Sequence, residues 1–166
     1  MGWAHILLVL VALQRLGELA LARRNTARLL ARGGREIGAA HYPLFILLQG
    51  GWLATLAVLS APNPPVIWPL LGFFALLQII RVWVIATLGP YWTTRIITLD
   101  DVPLRRTGPY RFLRHPNYAI VGAEIPTLAL ALGLPRPAIA FGLANIGLLA
   151  YRMRIENIAI ADRRGL

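Results

Sequence analysis

The sequence predicts an all-α, polytopic membrane helix bundle of about five transmembrane helices, closed by a cytosolic amphipathic C-terminal helix. Three observations carry this expectation. Hydrophobic residues fill 57% and charged residues 14% of the 166 positions, against roughly 25% charged in an ordinary soluble domain, and the mean hydropathy is +0.61. A soluble fold this apolar has too little polar surface to cover its core, whereas a bilayer solvates the excess from outside. The apolar residues fall into five runs broken by Gly, Pro and Arg, and the basic residues, all of them arginine, gather between the runs as cytosolic loop anchors do. The length suits a single domain over residues 1–166.

The first run, Trp3 to Ala22, lacks a small-residue cleavage site and leads into Arg23, Arg24, Arg28, Arg32 and Arg35, so it is expected to stay as a helix and not to be removed as a signal peptide. Gln14, Arg15 and Glu18 interrupt its inner half, and the spacing of three places Arg15 and Glu18 on one helix face, where they can pair. Gly33-Gly34 ends the helix. The second run, Tyr42 to Ala61, starts beside His41 and Pro43 and ends in the uncharged turn Pro62-Asn63-Pro64-Pro65. The third, Val66 to Leu88, carries Arg81 in its final turns and makes a helical hairpin with the second.

Between Gly89 and His115 the chain turns polar and basic. Tyr91-Trp92-Thr93-Thr94-Arg95 is expected along the membrane interface as an aromatic belt, and Ile96 to Leu99 as a short extended piece. The fourth run, Tyr118 to Leu134, holds Pro126, which is expected to kink it. After Pro135-Arg136-Pro137 the fifth run covers Ala138 to Tyr151, and the charged tail from Arg152 to Leu166 reads as the amphipathic helix. Runs four and five sit near the lower limit for spanning, roughly 17 residues. The segments after runs one, three and five are rich in arginine, while those after runs two and four hold none and one. Five spans then place the N-terminus outside and the C-terminus in the cytosol.

Several function classes drop out. There is no cysteine, which excludes disulfides, thiolate nucleophiles and cysteine-ligated metals. The net charge of +10 raises nucleic acid as a partner, but the arginines lie between apolar runs and draw no basic face on a soluble domain. The three histidines, His5, His41 and His115, have no metal-ligand spacing, and no GxSxG, Walker or dinucleotide fingerprint is present.

The densest polar constellation is Gly108-Pro109-Tyr110-Arg111-Phe112-Leu113-Arg114-His115-Pro116-Asn117-Tyr118, at the start of the fourth run. Pro116 suits the first helical position, which puts His115 at the cap beside unsatisfied backbone donors and the positive helix end, a ready anion site. Gly122 permits close approach of a ligand or helix. Glu124, more than a turn into the membrane, is a functional candidate by its location, or else a partner for Arg81 or Arg152. A second constellation, Tyr151-Arg152-Met153-Arg154-Ile155-Glu156-Asn157, spaces Arg152 and Glu156 by four, on one helix face.

These two motifs, with Glu124 between them, resemble the isoprenylcysteine carboxyl methyltransferase family. The bacterial branch is similar also at Gly33 to Gly38, His41 to Pro43, Arg81 to Ile85 and Trp92 to Arg95, so the likeness covers nearly the whole chain. The Arg-His-Pro-x-Tyr element alone also occurs in phospholipid N-methyltransferases and NADPH-dependent sterol-type reductases, which stand as alternatives. The resemblance implies methyl transfer from S-adenosylmethionine to an oxygen of a lipophilic acceptor that enters from the bilayer, such as a prenylcysteine, alkylpyrone or alkylresorcinol. It implies cofactor contacts from His115 and Tyr118, a turn shaped by Arg114, Pro116 and Asn117, and a C-terminal Arg152 and Glu156 that close the pocket and orient the acceptor. Gly122 and Glu124 complete the candidate cofactor set, and Arg163 joins Arg152 and Glu156 as acceptor-orienting. Where the family has two adjacent glutamates, this chain has Glu156 and Asn157, so one carboxylate is left to offset the sulfonium charge. The lysine-free composition points to a GC-rich bacterial genome, hence an inner-membrane location and a polyketide-type hydroxyl acceptor.

Overall fold

The computed structural model describes residues 2–99 and 107–159. It is built of five helices: α1 (Trp3–Ala31), α2 (Tyr42–Leu59), α3 (Trp68–Leu88), α4 (Pro116–Ala131) and α5 (Pro135–Ala159). Two short strands, β1 (Arg35–Ile37) and β2 (Ile96–Thr98), pair antiparallel with Glu36 opposite Ile97. Four helices, α1, α2, α3 and α5, are long and apolar enough to cross a membrane. The fourth apolar run falls short of the expected span: its 16 helical residues rise about 24 Å against a hydrocarbon core of about 30 Å. Most of α4 is buried among its neighbours, so it is the inner helix of the bundle and not one of its lipid-facing walls.

The first helix is longer than its apolar run. Arg23, Arg24 and Arg28 continue it, because arginine is a good helix former, and it stops at Gly33, whose φ of 88° allows the left-handed turn that ends it. The Gly34 N–H closes that turn on the Leu29 carbonyl at 2.9 Å. The α2–α3 hairpin is present in the chain order but not in the packing: α2 lies against α5 and α1, while α3 lies against α4. The amphipathic tail is not a separate helix through residue 159. Arg152 to Ala159 prolong α5 without a break, because no Gly or Pro falls between Leu148 and Ala159.

One apolar core draws on all five helices, with Leu8, Trp52, Phe74, Ile125 and Ala138 among its buried residues. Beside it sits a buried polar cluster. Arg81 grips Glu18 with Nε and Nη2, at 2.7 and 2.6 Å. Glu124 accepts from Arg15 at 2.7 Å, from Arg81 at 2.9 Å and from Gln78 at 2.8 Å. The predicted Arg15–Glu18 pair forms at 3.1 Å. Two arginines and two glutamates cancel in charge, and their hydrogen bonds tie α1, α3 and α4 together where water is excluded, the arrangement that makes buried charge tolerable.

The bundle has two unlike ends. At one, Trp3 at the start of α1 donates to Asn63 and Pro64 of the α2–α3 turn. At the other lie the end of α1, both strands, the end of α3, the start of α4 and the end of α5. Exposed Arg23, Arg24, Arg28, Arg32, Arg35, Arg111, Arg114 and Arg154 belong to this second end.

Candidate active site

At the arginine-rich end a cleft of about 160 Å³ opens among α4, α5 and the segment before β2, smaller than the 300–1,000 Å³ usual for enclosed small-molecule pockets. Its floor is set by the start of α4. Pro116 occupies the first helical position, where a missing N–H costs nothing, and His115 precedes it at φ −129°, ψ 64° with no side-chain cap bond. The His115 carbonyl takes the Tyr118 N–H at 3.1 Å, leaving the imidazole to stack on the Tyr118 ring, centroids 5.2 Å apart and 14° from parallel.

The last turns of α5 complete the floor. Arg152, only 8% exposed, donates from Nε to the Tyr118 hydroxyl at 2.8 Å, and that hydroxyl donates to Glu156 Oε2. The spacing of four that put Arg152 and Glu156 on one face thus joins them through Tyr118. Glu156 Oε1 lies 3.9 Å from His115 Nδ1, and the Arg152 guanidinium stands 5.6 Å above the Tyr118 ring and 5.2 Å above that of Phe45. A cation, a phenol, a carboxylate and an imidazole therefore form one connected set.

The opposite wall comes from the segment expected to lie along the interface. That expectation is corrected: Trp92 is 2% exposed and packs against Ala22, Leu77, Val84 and Ile120, because enclosing its large apolar ring among α1, α3 and α4 outweighs an interfacial seat. Arg95 spans both oxygens of Glu36 at 2.9 Å and lies 4.5 Å over the Tyr42 ring, and the Tyr42 hydroxyl meets Thr94 Oγ1 at 3.1 Å. These contacts fix the strand pair over the cleft. Tyr110 also lines it. Burial, and then the charge of Glu156, push its phenol up to about 12, so it stays an O–H donor at any ordinary pH.

Of the candidate residues, His115, Asn117, Tyr118, Arg152 and Glu156 line this one cleft. Pro116 is buried in the helix start and Arg114 is exposed beside it. Gly122 and Glu124 do not line it. Gly122 faces α5, where an added Cβ would come within 3.8 Å of Leu149, and the Glu124 carboxylate is taken up by Arg15, Arg81 and Gln78. Arg163 lies outside the described residues. Trp92, Thr93 and Arg95 were not singled out as site residues by sequence reasoning. The length and polarity of their loop was the available signal.

The lining has the chemistry of an amphoteric ligand. Arg152 and the α4 start suit an anionic group, Glu156 a cationic one, and Tyr91, Trp92 and Tyr110 a flat ring. His115 Nε2, Asn117 Oδ1 and Trp92 Nε1 are buried without a protein partner. Residues 70–162 match the model of the isoprenylcysteine carboxyl methyltransferase (ICMT) family. The chain is also 34% identical, over 95% of its length and 96% of the relative's, to the uncharacterized protein YpbQ of Bacillus subtilis (strain 168). No solved structure matches.

Proposed function

The chain belongs to the isoprenylcysteine carboxyl methyltransferase family, a family of membrane methyltransferases, and from that premise we propose that its cleft transfers the methyl group of S-adenosylmethionine to an oxygen of a lipophilic acceptor. The observation that carries this reading is the convergence of His115, Asn117 and Tyr118 from α4 with Arg152 and Glu156 from α5 on one cleft. Their chemistry fits the cofactor. Its carboxylate finds cationic and N–H donors at the α4 start, its sulfonium and amino group find Glu156, and its purine finds an aromatic wall. The cofactor supplies an electrophilic methyl with a neutral thioether as leaving group.

What the protein adds is position and exclusion of water. Tyr118, held by Arg152 and Glu156, sets the distance between the ends of α4 and α5. Glu156 keeps a negative charge where a sulfonium must sit, and in this chain Asn157 adds none. For a carboxylate acceptor, such as a prenylcysteine, Arg152 aligns the oxygen and no base is needed. For a hydroxyl acceptor, such as an alkylpyrone or alkylresorcinol, Glu156 is within the cleft to take the proton. The lysine-free, arginine-rich composition favours the bacterial, hydroxyl-bearing lipid. The arginines concentrated at the cleft end support a cytosol-facing site in an inner membrane.

Purified protein is incubated with methyl-labelled cofactor and bacterial lipid extract. Label is expected in a lipid product, and alkali separates the acceptors, because a methyl ester is cleaved and an aryl or enol ether is more resistant. His115→Ala is expected to lower the rate at least 100-fold without loss of thermal stability. Tight binding of NADPH with none of S-adenosylmethionine would replace this reading by the reductase alternative.

A further inference from the structure

We propose that Trp92 is a ligand-binding residue of the cleft, its indole N–H donating a hydrogen bond to the bound methyl donor, and that Asn25 on α1 is the residue that positions it. This rests on the reading of the cleft as the methyl-donor site. Trp92 lines the cleft, is 2% exposed, and its Nε1 is buried without a protein partner. An indole N–H can only donate, and a buried donor left unmade costs more than an average hydrogen bond returns. The proposal assigns the missing acceptor to the group bound in the cleft that Trp92 lines.

The placement of Trp92 favours the methyl donor over the lipid. In the proposed reaction the acceptor's reacting oxygen is aligned by Arg152 on α5. Trp92 instead packs on α1, α3 and α4, through Ala22, Leu77, Val84 and Ile120. The adenosyl and amino-acid parts of the donor carry ribose, purine and carboxylate acceptors that can reach that wall.

The wall is held from behind by one side chain. Asn25, 2% exposed, donates from Nδ2 to the backbone carbonyls of Trp92 at 2.8 Å and of Gly89 at 3.1 Å. Both ends of the turn that carries the indole are thereby pinned to α1, the helix farthest in sequence from the α4 and α5 motifs. A buried amide spent on two carbonyls ties this turn to α1, beyond the turn's own bond from the Trp92 N–H to the Gly89 carbonyl at 3.1 Å.

The test measures binding of S-adenosylhomocysteine to the full-length protein in nanodiscs by calorimetry. The variants are Trp92→Phe, Trp92 replaced by 3-benzothienylalanine, which keeps the shape and lacks the N–H, and Asn25→Ala. Each is expected to weaken binding about tenfold, and ligand-induced quenching of Trp92 emission is expected to diminish in Asn25→Ala. The KM for the lipid acceptor should stay unchanged in the benzothienyl protein. Binding within twofold of wild type in the benzothienyl protein would overturn the role of Trp92. Failure of the wild-type protein to bind at all would instead overturn the methyl-donor reading on which it rests.

Discussion

Replacing Glu124 by Gln isolates what the buried ion cluster does. The wild-type carboxylate, with its side chain 1% exposed, accepts from Arg15, Arg81 and Gln78 at 2.7, 2.9 and 2.8 Å. Glutamine keeps one carbonyl oxygen and turns an amide toward a guanidinium. It leaves two arginines facing Glu18 alone, a net charge of +1 inside the bundle. Breaking a buried pair by removing one partner costs about 3–5 kcal/mol, and here one carboxylate serves two cations, so the upper part of that range is expected. The assay is equilibrium unfolding in mixed micelles with an SDS titration, read by helical circular dichroism. The double variant Arg15→Gln, Glu124→Gln restores neutrality and retains the two-pronged Arg81–Glu18 grip. It should be more stable than the sum of the single changes predicts, by about 1 kcal/mol or more. A loss below about 1 kcal/mol in Glu124→Gln, or simple additivity in the double variant, would refute the reasoning. So would weakened binding of S-adenosylhomocysteine with stability unchanged, which would return Glu124 to the cofactor set.

Two further outcomes follow from the geometry. Tyr118→Phe removes the hydroxyl that joins Arg152 to Glu156, and kcat/KM for methyl transfer is expected to fall about 10- to 100-fold; an unchanged value would mean the relay has no part in the reaction. Gly38→Ala is expected to cost about 2 kcal/mol or more, because Gly38 has φ +65° and an added Cβ would stand 2.6 Å from His41 Cε1 and 3.0 Å from Ile155, whereas Gly33→Ala, with φ +88° and open space around it, carries only the backbone part of that cost; equal unfolding midpoints for the two variants would contradict the close packing at His41.

The helices were legible in the sequence because a helix is decided within its own span. Length, apolar content and the Gly and Pro residues at the ends marked the five helical runs and the start of α4 at Pro116. The Arg15–Glu18 pair was legible for the same reason, since three residues along a helix is a fixed distance. The His115 to Tyr118 turn and the Arg152–Glu156 face were recognised as separate local patterns. Where local reasoning failed, a partner distant in sequence was responsible. Residues 35–37 formed a strand because Ile96 to Thr98, some sixty positions on, paired with them.

The sequence by itself determined that this chain is helical, membrane-embedded and charged at one end, because hydropathy and helix periodicity act on neighbouring residues. The tertiary structure alone decided which charged groups pair inside the bundle and which line the cleft. Glu124 lies 109 positions from Arg15 and 43 from Arg81, and only the packing of α1, α3 and α4 brought the three side chains together. Tyr118 lies 34 and 38 positions from Arg152 and Glu156, and only the antiparallel return of α5 along α4 placed all three in one cleft. The same packing drew Trp92 from the expected interface into the wall of that cleft. Such contacts depend on which faces of separate helices bury against one another, and no spacing along the chain encodes that distance.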